Sequence, residues 1–336
     1  MDSSRSFIRT SLLIVALITA VVAIVLSTPL SHSLMPLLAW KPLTSFFAQR
    51  QLSAYFSSKP MATNKPPVYF FSHGGPDVMY NTKHPVYPVL QNIGKEITEK
   101  VKPKAIVVFS GHWEAGPRRI EVNSVEHTDL IYDFYGFPKE YYKAQYPNKG
   151  SPELASKILG LLSQSGIKAE GVARGLDHGV WSGFHVAFHP ERNPLNIPLV
   201  QVSLYGNQDV DMHYQLGQAV AALRDENIVI IGAGMSVHNL RDYMMTGGDP
   251  RPMPYTVSFD EALKEAVEAP PAERRARMLE VAKRPDARQA HPRFDHLMPV
   301  YVAAGAAGDD AGKQTWTMHE GTMGWAQYRF GSVPAS

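Results

Sequence analysis

The sequence of 336 residues contains no cysteine, and this absence removes several kinds of site at once. Disulfides, thiolate zinc sites, iron–sulfur clusters and cysteine nucleophiles are all excluded. Any metal ion must be held by nitrogen and oxygen ligands, which suit Zn(II) or Fe(II) and also Mn(II). The formal net charge is only +2 and the basic residues form no cluster, so the sequence predicts no nucleic-acid partner.

Several familiar catalytic signatures are missing as well. Neither Ser72 nor Ser236 lies in the G-x-S-x-G turn of the α/β-hydrolases. Residues 232–234 are only a fragment of a dinucleotide-binding fingerprint, and no H-E-x-x-H zinc motif occurs. The chemistry must therefore be sought among residues that are distant from one another in the sequence.

A long apolar run dominates the amino terminus. Ser11–Leu30 is uncharged and rich in Leu, Ile, Val and Ala, with Arg5 and Arg9 just before it. About 20 apolar residues suffice to cross a bilayer as a helix, and a basic flank before the run favours a cytoplasmic amino end. Residues 1–33 are therefore predicted to be a single transmembrane anchor, with a cleaved signal segment and secretion as the alternative. An internal start at Met61 would instead give a soluble cytoplasmic form.

The rest of the chain divides into a tether and one folded region. Residues 34–67 show no clear period and are predicted to be the tether, whereas strand and helix candidates alternate in residues 68–332. Such alternation predicts an α/β fold: a single catalytic domain with a largely parallel central sheet and helices on both of its faces. The main predicted strands are residues 68–72, 105–110, 169–173, 199–204 and 228–232, and the main predicted helices are residues 86–100, 152–164, 181–188, 214–223, 255–267, 272–282 and 296–307.

Four histidines each follow a short apolar run, in turns that carry Gly, Ser or Asp: His73, His112, His178 and His238. In open α/β sheets, ligands bind outside the carboxyl ends of the strands, where loops from separate strands converge. Neutral imidazole is both the commonest protein metal ligand and the usual acid or base near pH 7. The pattern predicts a histidine-rich metal site with one histidine free for proton transfer. The alternative is a set of hydrogen-bonded turn residues.

Six short motifs strengthen the first interpretation. They are Phe71–Pro76, Ser110–Glu114, Leu130–Pro138, Arg174–Trp181, Ser236–Arg241 and Ala290–His296. Together, residues 68–330 resemble the class III extradiol ring-cleavage dioxygenases, a family of catalytic subunits of the B type. The similarity is greatest to the branch that contains 4,5-DOPA dioxygenase. No single motif is specific, whereas six in the same order are highly specific.

That resemblance implies an enzyme that opens the aromatic ring of a catechol, DOPA-like substrate with O₂ and a non-haem metal ion. Fe(II) is the first candidate for that ion and Zn(II) the second. The resemblance also implies that His73, His112 and His238 hold the metal, and that His178 is the acid/base residue and a candidate fourth ligand. The superfamily commonly has a carboxylate at the third metal position. A histidine there, as in the DOPA-type branch, also suits zinc.

Four further residues are predicted to touch the substrate or to support the metal-bound imidazoles. Glu114 is a candidate metal ligand or hydrogen-bond acceptor for the His112 ring, with an exposed strand end as the alternative. Asp177, next to His178, is predicted to orient the His178 ring. His296 belongs to a motif near the family's active site, with helix capping as the alternative. Tyr132 and nearby aromatic residues would wall a flat pocket, or pack in the core.

Two other functions remain open from the sequence. A zinc-dependent hydrolase would use the same histidines, because zinc-bound water is a good nucleophile near pH 7. A membrane-tethered binder without activity is the other, and the presence of all four histidines counts against it. Metal analysis combined with oxygen uptake on a panel of catechols separates these functions.

Overall fold

The structure, a computed structural model, describes residues 65–334. The strands are β1 Val68–Ser72, β2 Ala105–Glu114, β3 Ile120–Asn123, β4 Leu130–Ile131, β5 Ala169–Val172, β6 Leu176–Asp177, β7 Leu199–Leu204, β8 Ile228–Gly234, β9 Val237–His238, β10 Gly312–Trp316, β11 His319–Glu320, β12 Met323–Gly324 and β13 Gln327–Phe330. The α-helices are α1 Val86–Lys95, α2 Pro152–Gln164, α3 His178–Ala187, α4 Val210–Val220, α5 Leu240–Met245, α6 Pro254–Val267, α7 Pro271–Val281, α8 Ala287–Ala290 and α9 Met298–Ala306. Short 3₁₀ or π-helical segments lie at Pro76–Met79, Glu96–Val101, Tyr141–Lys143 and Ala221–Glu226.

An eight-stranded sheet forms the centre of the described residues, in the order β10–β13–β1–β8–β2–β7–β3–β5. Its central strands β1, β8, β2 and β7 pair in parallel. At one edge, β13 and β10 add antiparallel strands from the end of the chain. The predicted α/β fold with a largely parallel sheet is confirmed.

The first strand shows why the central strands are apolar along their whole length. Val68 and Phe70 belong to the core cluster that includes residues of α2, α4 and α9, and Tyr69 and Phe71 belong to the cluster that includes residues of α1 and α3. Successive residues of a strand point to opposite faces, so each face of β1 faces a helical layer. All four side chains are at most 2% exposed, as expected for a parallel strand that is covered on both sides.

Helix α2 has the bounds predicted from its apolar spacing. Ser151 caps its amino end, because the serine Oγ accepts a hydrogen bond from the Leu154 backbone N–H at 3.1 Å. Leu154, Ile158 and Leu162 are buried on one face. The spacing of the apolar residues and the cap residue therefore agree on the same helix.

Strand β2 is longer than predicted, and this changes the environment of His112. The predicted strand ends at Ser110, whereas the observed strand continues to Glu114. After a register shift, β7 still pairs with it, and Glu114 lies opposite Leu204. His112 is therefore held within a strand rather than in the turn after it.

The carboxyl ends of β1 and β8 bring two distant segments together. Ser72 pairs with Gly234, and the backbone N–H of His73 donates to the Gly234 carbonyl at 3.0 Å. The next backbone N–H, that of Met235, donates to the His296 carbonyl at 3.0 Å. A Cβ atom on Gly234 would overlap this His296 carbonyl oxygen, so glycine allows the His296 segment to cross the end of the sheet closely.

The prediction of a transmembrane anchor is wrong by the evidence of the structure. No helix within residues 65–334 is both long and apolar enough to span a bilayer. The longest α-helix there, α6, has 14 residues, or about 21 Å, against a hydrocarbon core of about 30 Å. The run Ser11–Leu30, the predicted segment 1–33 and the tether up to residue 64 lie outside the described residues. The prediction depended only on the number of apolar residues in the run, which is sufficient to span a bilayer. No membrane anchor is therefore assigned.

Candidate active site

Three imidazoles from separate segments meet at the carboxyl edge of the sheet. His73 follows β1, His112 lies near the end of β2, and His296 precedes α9. A ring nitrogen of each lies within 4.8 Å of one from each of the others. The Nε2 atoms of His112 and His296 are 3.0 Å apart. These nitrogens are the first candidate for a metal site.

His73 presents a ring nitrogen that has no partner. Its Nδ1 lies 2.6 Å from the Gly74 carbonyl oxygen, and because a carbonyl only accepts, the ring donates from Nδ1. Nε2 therefore carries the lone pair, and it is buried without a hydrogen-bond partner. A buried polar atom in this state is costly, and a metal ion bound among the three rings would satisfy it. Neutral imidazoles fit either Fe(II) or Zn(II).

His238 lies beside this group rather than within it. Its ring stacks on His296 with centroids 3.8 Å apart and an interplanar angle of 16°. One of its ring nitrogens lies within 4.8 Å of a carboxylate oxygen of Asp295 and of a ring nitrogen of His296. Asp295 Oδ1 lies 3.2 Å from His296 Nδ1, but the two atoms are not aligned for a hydrogen bond. The third metal ligand predicted from the sequence was His238, whereas the structure brings His296 next to His73 and His112.

Asp133 joins two of the predicted histidines through its two carboxylate oxygens. Oδ1 accepts from His178 Nδ1 at 2.7 Å and from the His178 backbone N–H at 3.1 Å. Oδ2 lies 2.9 Å from Nδ1 of His112. The His112 and His178 ring centroids are 4.0 Å apart. His112, Asp133 and His178 thus form a second compact group that shares His112 with the first.

Asp177 has a different place from the one predicted. Its carboxylate is fully buried and accepts hydrogen bonds from Ser110, Arg174 and Gln201. The Ser110 Oγ in turn accepts the His112 backbone N–H at 3.1 Å. Asp177 therefore supports the backbone of β2 beside His112, whereas the predicted contact was with the ring of His178.

Glu114 and Tyr132 lie at the border of the site. Glu114 forms an ion pair with Arg293 instead of accepting from an imidazole. The Tyr132 hydroxyl donates to the Ala144 carbonyl at 2.7 Å, and its ring packs edge-on against Trp181 at 5.5 Å between centroids. Both side chains are already engaged by protein groups, so their roles toward a substrate remain predictions.

Burial controls the protonation of His73 and His238. It holds the pKa of each ring well below the ordinary value for histidine, and the charge of the neighbouring His296 lowers each pKa further. A buried imidazole without a carboxylate partner loses more from desolvation when it is charged than when it is neutral. At neutral pH both rings are therefore uncharged and offer a lone pair.

The pKa values of His112 and His178, the two histidines that contact Asp133, shift in opposite directions. Burial lowers the pKa of His112, but the hydrogen bond to Asp133 and the charges of Asp177, Asp133 and Asp295 outweigh it, so the net direction is upward. At His178 burial prevails over the same carboxylate, and the pKa is lowered. Burial would raise the pKa of Asp133, but the hydrogen bonds from both rings hold it well below its usual range. Asp133 is therefore an ionised acceptor at neutral pH.

Known proteins resemble this chain over nearly all of the described residues. Residues 63–331 match the family described as the catalytic LigB subunit of aromatic ring-opening dioxygenase. The chain belongs to this family. The six sequence motifs predicted that membership, and with it an extradiol aromatic ring-opening dioxygenase, and both predictions are confirmed.

Individual LigB-like relatives cover the same part of the chain. The 4,5-DOPA dioxygenase extradiol of Beta vulgaris is 36% identical over 275 residues, which cover 79% of this chain and 96% of that protein. The 4,5-DOPA dioxygenase extradiol of Escherichia coli (strain K12) is 31% identical over 251 residues, covering 73% and 87%. The crystal structure of the uncharacterized protein JW3007 from Escherichia coli K12 has a TM-score of 0.62 at 27% identity, covering 80% of this chain and 100% of that one.

Two residues lie within the histidine-rich groups of the site although only a supporting role, or none, was predicted for them from the sequence. His296 is predicted there as a substrate or supporting residue, yet its Nε2 faces that of His112. Asp133 belongs to the Leu130–Pro138 motif, but no role of its own was predicted for it from the sequence. In the structure it contacts both His112 and His178. An acidic residue inside a motif that otherwise consists of aromatic and apolar residues was the available signal for Asp133.

Proposed function

We propose that this ring-opening dioxygenase acts on a catechol-type, DOPA-like substrate with O₂ and a non-haem Fe(II) ion. The observation that carries the proposal is the group of imidazole nitrogens of His73, His112 and His296, one of them buried without a partner. An ion held by only three imidazole side chains keeps coordination positions open for oxygen ligands. The names of the relatives in Beta vulgaris and Escherichia coli support the substrate class.

His73, His112 and His296 are the proposed metal ligands. His296 replaces His238 in that role, because its nitrogen lies with those of the other two rings. The hydrogen bond of His73 to Gly74 and the 2.9 Å contact of His112 with Asp133 engage Nδ1 of each ring and leave Nε2 for the ion. When bound, Fe(II) supplies the redox chemistry that dioxygen needs and that Zn(II) lacks.

His178 is the proposed acid/base residue. Its Nδ1–H is held by Asp133, so Nε2 is the nitrogen that takes a phenolic proton and later returns it. The lowered pKa keeps the ring neutral at pH 7, ready to act as a base. The carboxylate then stabilises the imidazolium that forms, as in other histidine–aspartate pairs. His238, stacked on His296, is the competing candidate.

An aromatic wall beside His178 is the proposed binding face for the substrate ring. Phe134 packs edge-on against His178 at 5.4 Å between centroids, and Trp181 and Tyr132 lie behind it. Phe134 is only 5% exposed and Trp181 is fully buried, so the surrounding core holds both rings in place. Flat apolar surfaces with a few polar groups beside them suit aromatic ligands.

The test uses the full chain, purified without oxygen and loaded with either Fe(II) or Zn(II). O₂ uptake and the absorbance of the opened product are measured on several catechols, with a 1,3-diol as the control that lacks adjacent hydroxyls. Iron-loaded protein should consume O₂ with catechols alone, and zinc-loaded protein should remain at background. Full-rate ring opening by iron-free, zinc-loaded protein would contradict the proposed chemistry.

A further inference from the structure

We propose that Asp133 is a positioning residue that sets the tautomers of His112 and His178 together. The inference rests on the proposed function, because that function assigns His112 to the metal and His178 to proton transfer. Its basis is a single carboxylate that offers one oxygen to each ring. The proposed metal ligand His112 and the proposed acid/base residue His178 would thus both be held by the carboxylate of Asp133.

The tautomers follow from the chemistry of the two contacts. Asp133 Oδ1 lies 2.7 Å from Nδ1 of His178, and Oδ2 lies 2.9 Å from Nδ1 of His112. A carboxylate only accepts, so His178 donates its Nδ1–H to Oδ1, and the proximity of Oδ2 favours a proton on Nδ1 of His112 as well; the lone pair of each neutral ring then lies on Nε2. One residue therefore prepares one nitrogen to bind a metal and another to accept a proton.

The backbone before Asp133 is anchored to the strand that precedes His178. Strand β4 pairs in parallel with β6, and Ile131 lies opposite Asp177. The Trp181 indole N–H donates to the Ile131 carbonyl at 3.0 Å. This pairing brings Asp133 beside the first turn of α3, where its Oδ1 also accepts the His178 backbone N–H at 3.1 Å. The carboxylate is therefore held relative to the helix as well as to the ring.

The backbone after Asp133 is anchored separately. Phe134 is buried, and its carbonyl accepts the Tyr142 hydroxyl at 3.2 Å. The Tyr142 hydroxyl thus stabilises the same segment without touching the carboxylate. Its removal is a matched control, because it loosens the segment while leaving both Asp133–histidine contacts in place.

Neighbouring carboxylates are engaged elsewhere and do not duplicate this role. Glu114 pairs with Arg293, and Asp177 accepts from Ser110 in the buried network below His112. Within residues 65–334, no other carboxylate forms contacts with both of these rings. Loss of the Asp133 carboxylate should therefore change the tautomer preference of both histidines.

The experiment compares Asp133→Ala, which removes both acceptor oxygens, with Tyr142→Phe in the full chain loaded with Zn(II), which is diamagnetic and suits NMR. Two readouts are independent of ring opening. Competition with a chromophoric chelator gives the zinc affinity, and the ¹⁵N shifts of the His178 imidazole distinguish Nδ1–H from Nε2–H. Asp133→Glu, which keeps a carboxylate, tests for rescue, and circular dichroism checks that each variant is folded.

Asp133→Ala should weaken zinc binding by about 10–100-fold, the usual cost of losing a group that supports a metal ligand. His178 should also lose its preference for Nδ1–H, Tyr142→Phe should change neither property, and Asp133→Glu should recover part of the zinc affinity. An unchanged affinity or an unchanged tautomer in folded Asp133→Ala overturns the inference. If Asp133→Ala does not fold, Asp133→Leu, which has no acceptor but fills a similar volume, carries the same two readouts. A parent chain that opens no catechol ring would contradict the proposed function, while both readouts would still decide the role of Asp133.

Discussion

His73 and His178 have ring centroids only 6.2 Å apart, yet the fold holds them in different ways. His73 leaves the sheet with its backbone N–H bonded to the Gly234 carbonyl, and its ring donates to the Gly74 carbonyl. His178 begins a helix, and the carboxylate of Asp133 holds both its ring and its backbone N–H. The sheet side of the site is thus fixed by main-chain groups, and the loop side by a side chain.

This difference determines which substitutions should disturb each side. Main-chain hydrogen bonds of a parallel sheet persist when a side chain is changed, so the sheet side responds to loss of the histidine itself or to a steric clash. The loop side should respond to the loss of one carboxylate, because a buried imidazole without its partner is costly. Substitutions on the two sides can therefore separate metal binding from proton transfer.

The largest effect is expected from replacement of the proposed metal ligands. His73→Ala and His296→Ala should both lose the metal and reduce ring opening to background, whereas His238→Ala should keep most of the metal. Metal content per chain, measured with kcat for each variant, provides the check. If His238→Ala loses the metal and His296→Ala keeps it, His238 returns to the third ligand position.

His178→Ala tests whether the loop side of the site serves proton transfer rather than metal binding. It should retain most of the metal yet reduce kcat by about 10²–10⁴-fold, the usual contribution of a positioned acid or base. Metal content and the pH dependence of kcat are measured together. Loss of metal as complete as in His73→Ala would make His178 a fourth ligand, and normal turnover would move the acid/base role to His238.

Gly234→Ala should break the sheet side by a steric effect. The new methyl group would overlap the His296 carbonyl oxygen, and overpacking of this kind costs about 1–3 kcal/mol in the free energy of unfolding. Metal affinity should fall as well, because the segment that carries His296 must move. Calorimetry and chelator competition measure the two effects.

Gly160→Ala is the matched control for that substitution. Gly160 is an exposed residue of α2, and a Cβ atom there meets nothing within 4 Å. Replacing glycine inside a helix should raise stability by about 0.5–1 kcal/mol. Equal destabilisation by both substitutions would show that the clash at Gly234 is relieved at little cost.

The smallest effect concerns a histidine–carboxylate pair outside the proposed metal group. His319 Nε2 lies 2.9 Å from Asp260 Oδ2, and this hydrogen bond raises the pKa of His319. A raised pKa in the folded state stabilises the fold below the ordinary histidine pKa, and that contribution is lost as the pH rises through the raised value. His319→Gln should therefore destabilise the chain more at pH 5.5 than at pH 9, both about 1–3 units from the ordinary pKa.

The size of that difference should be under about 1 kcal/mol, because His319 is partly exposed and solvent screens the pair. Urea unfolding of the parent and variant at both pH values measures it, and added salt should reduce it. The same difference at both pH values would show that the pair contributes packing rather than charge.

Strands and helices with a clear apolar period were predicted from the sequence nearly as they occur. β7 at Leu199–Leu204 and α2 at Pro152–Gln164 have the predicted bounds. β3 at Ile120–Asn123 was not predicted, since four residues that include Glu121 give no decisive pattern. Its existence depends on β5 and β7, which supply hydrogen-bond partners on either side. Short strands are therefore decided by their neighbours.

For the site, too, one part could be predicted from local sequence patterns and another could not. A histidine-rich group at the carboxyl edge follows from the positions of His73 and His112 after apolar runs, and both lie there. The choice between His238 and His296 as their neighbour does not follow, because the two rings stack 3.8 Å apart and differ only in which nitrogens face the others. Sequence spacing does not describe differences of that size.

By itself the sequence determined the fold class, the family and the nitrogen and oxygen character of any metal site. Periodicity, ordered motifs and the absence of cysteine are properties that need no knowledge of long-range contacts. Only the tertiary structure decided that His296 meets His112 across 184 residues and that Asp133 meets His178 across 45. Those contacts depend on a glycine that admits a crossing backbone and on the pairing of two-residue strands, and neither carries a distinctive local pattern.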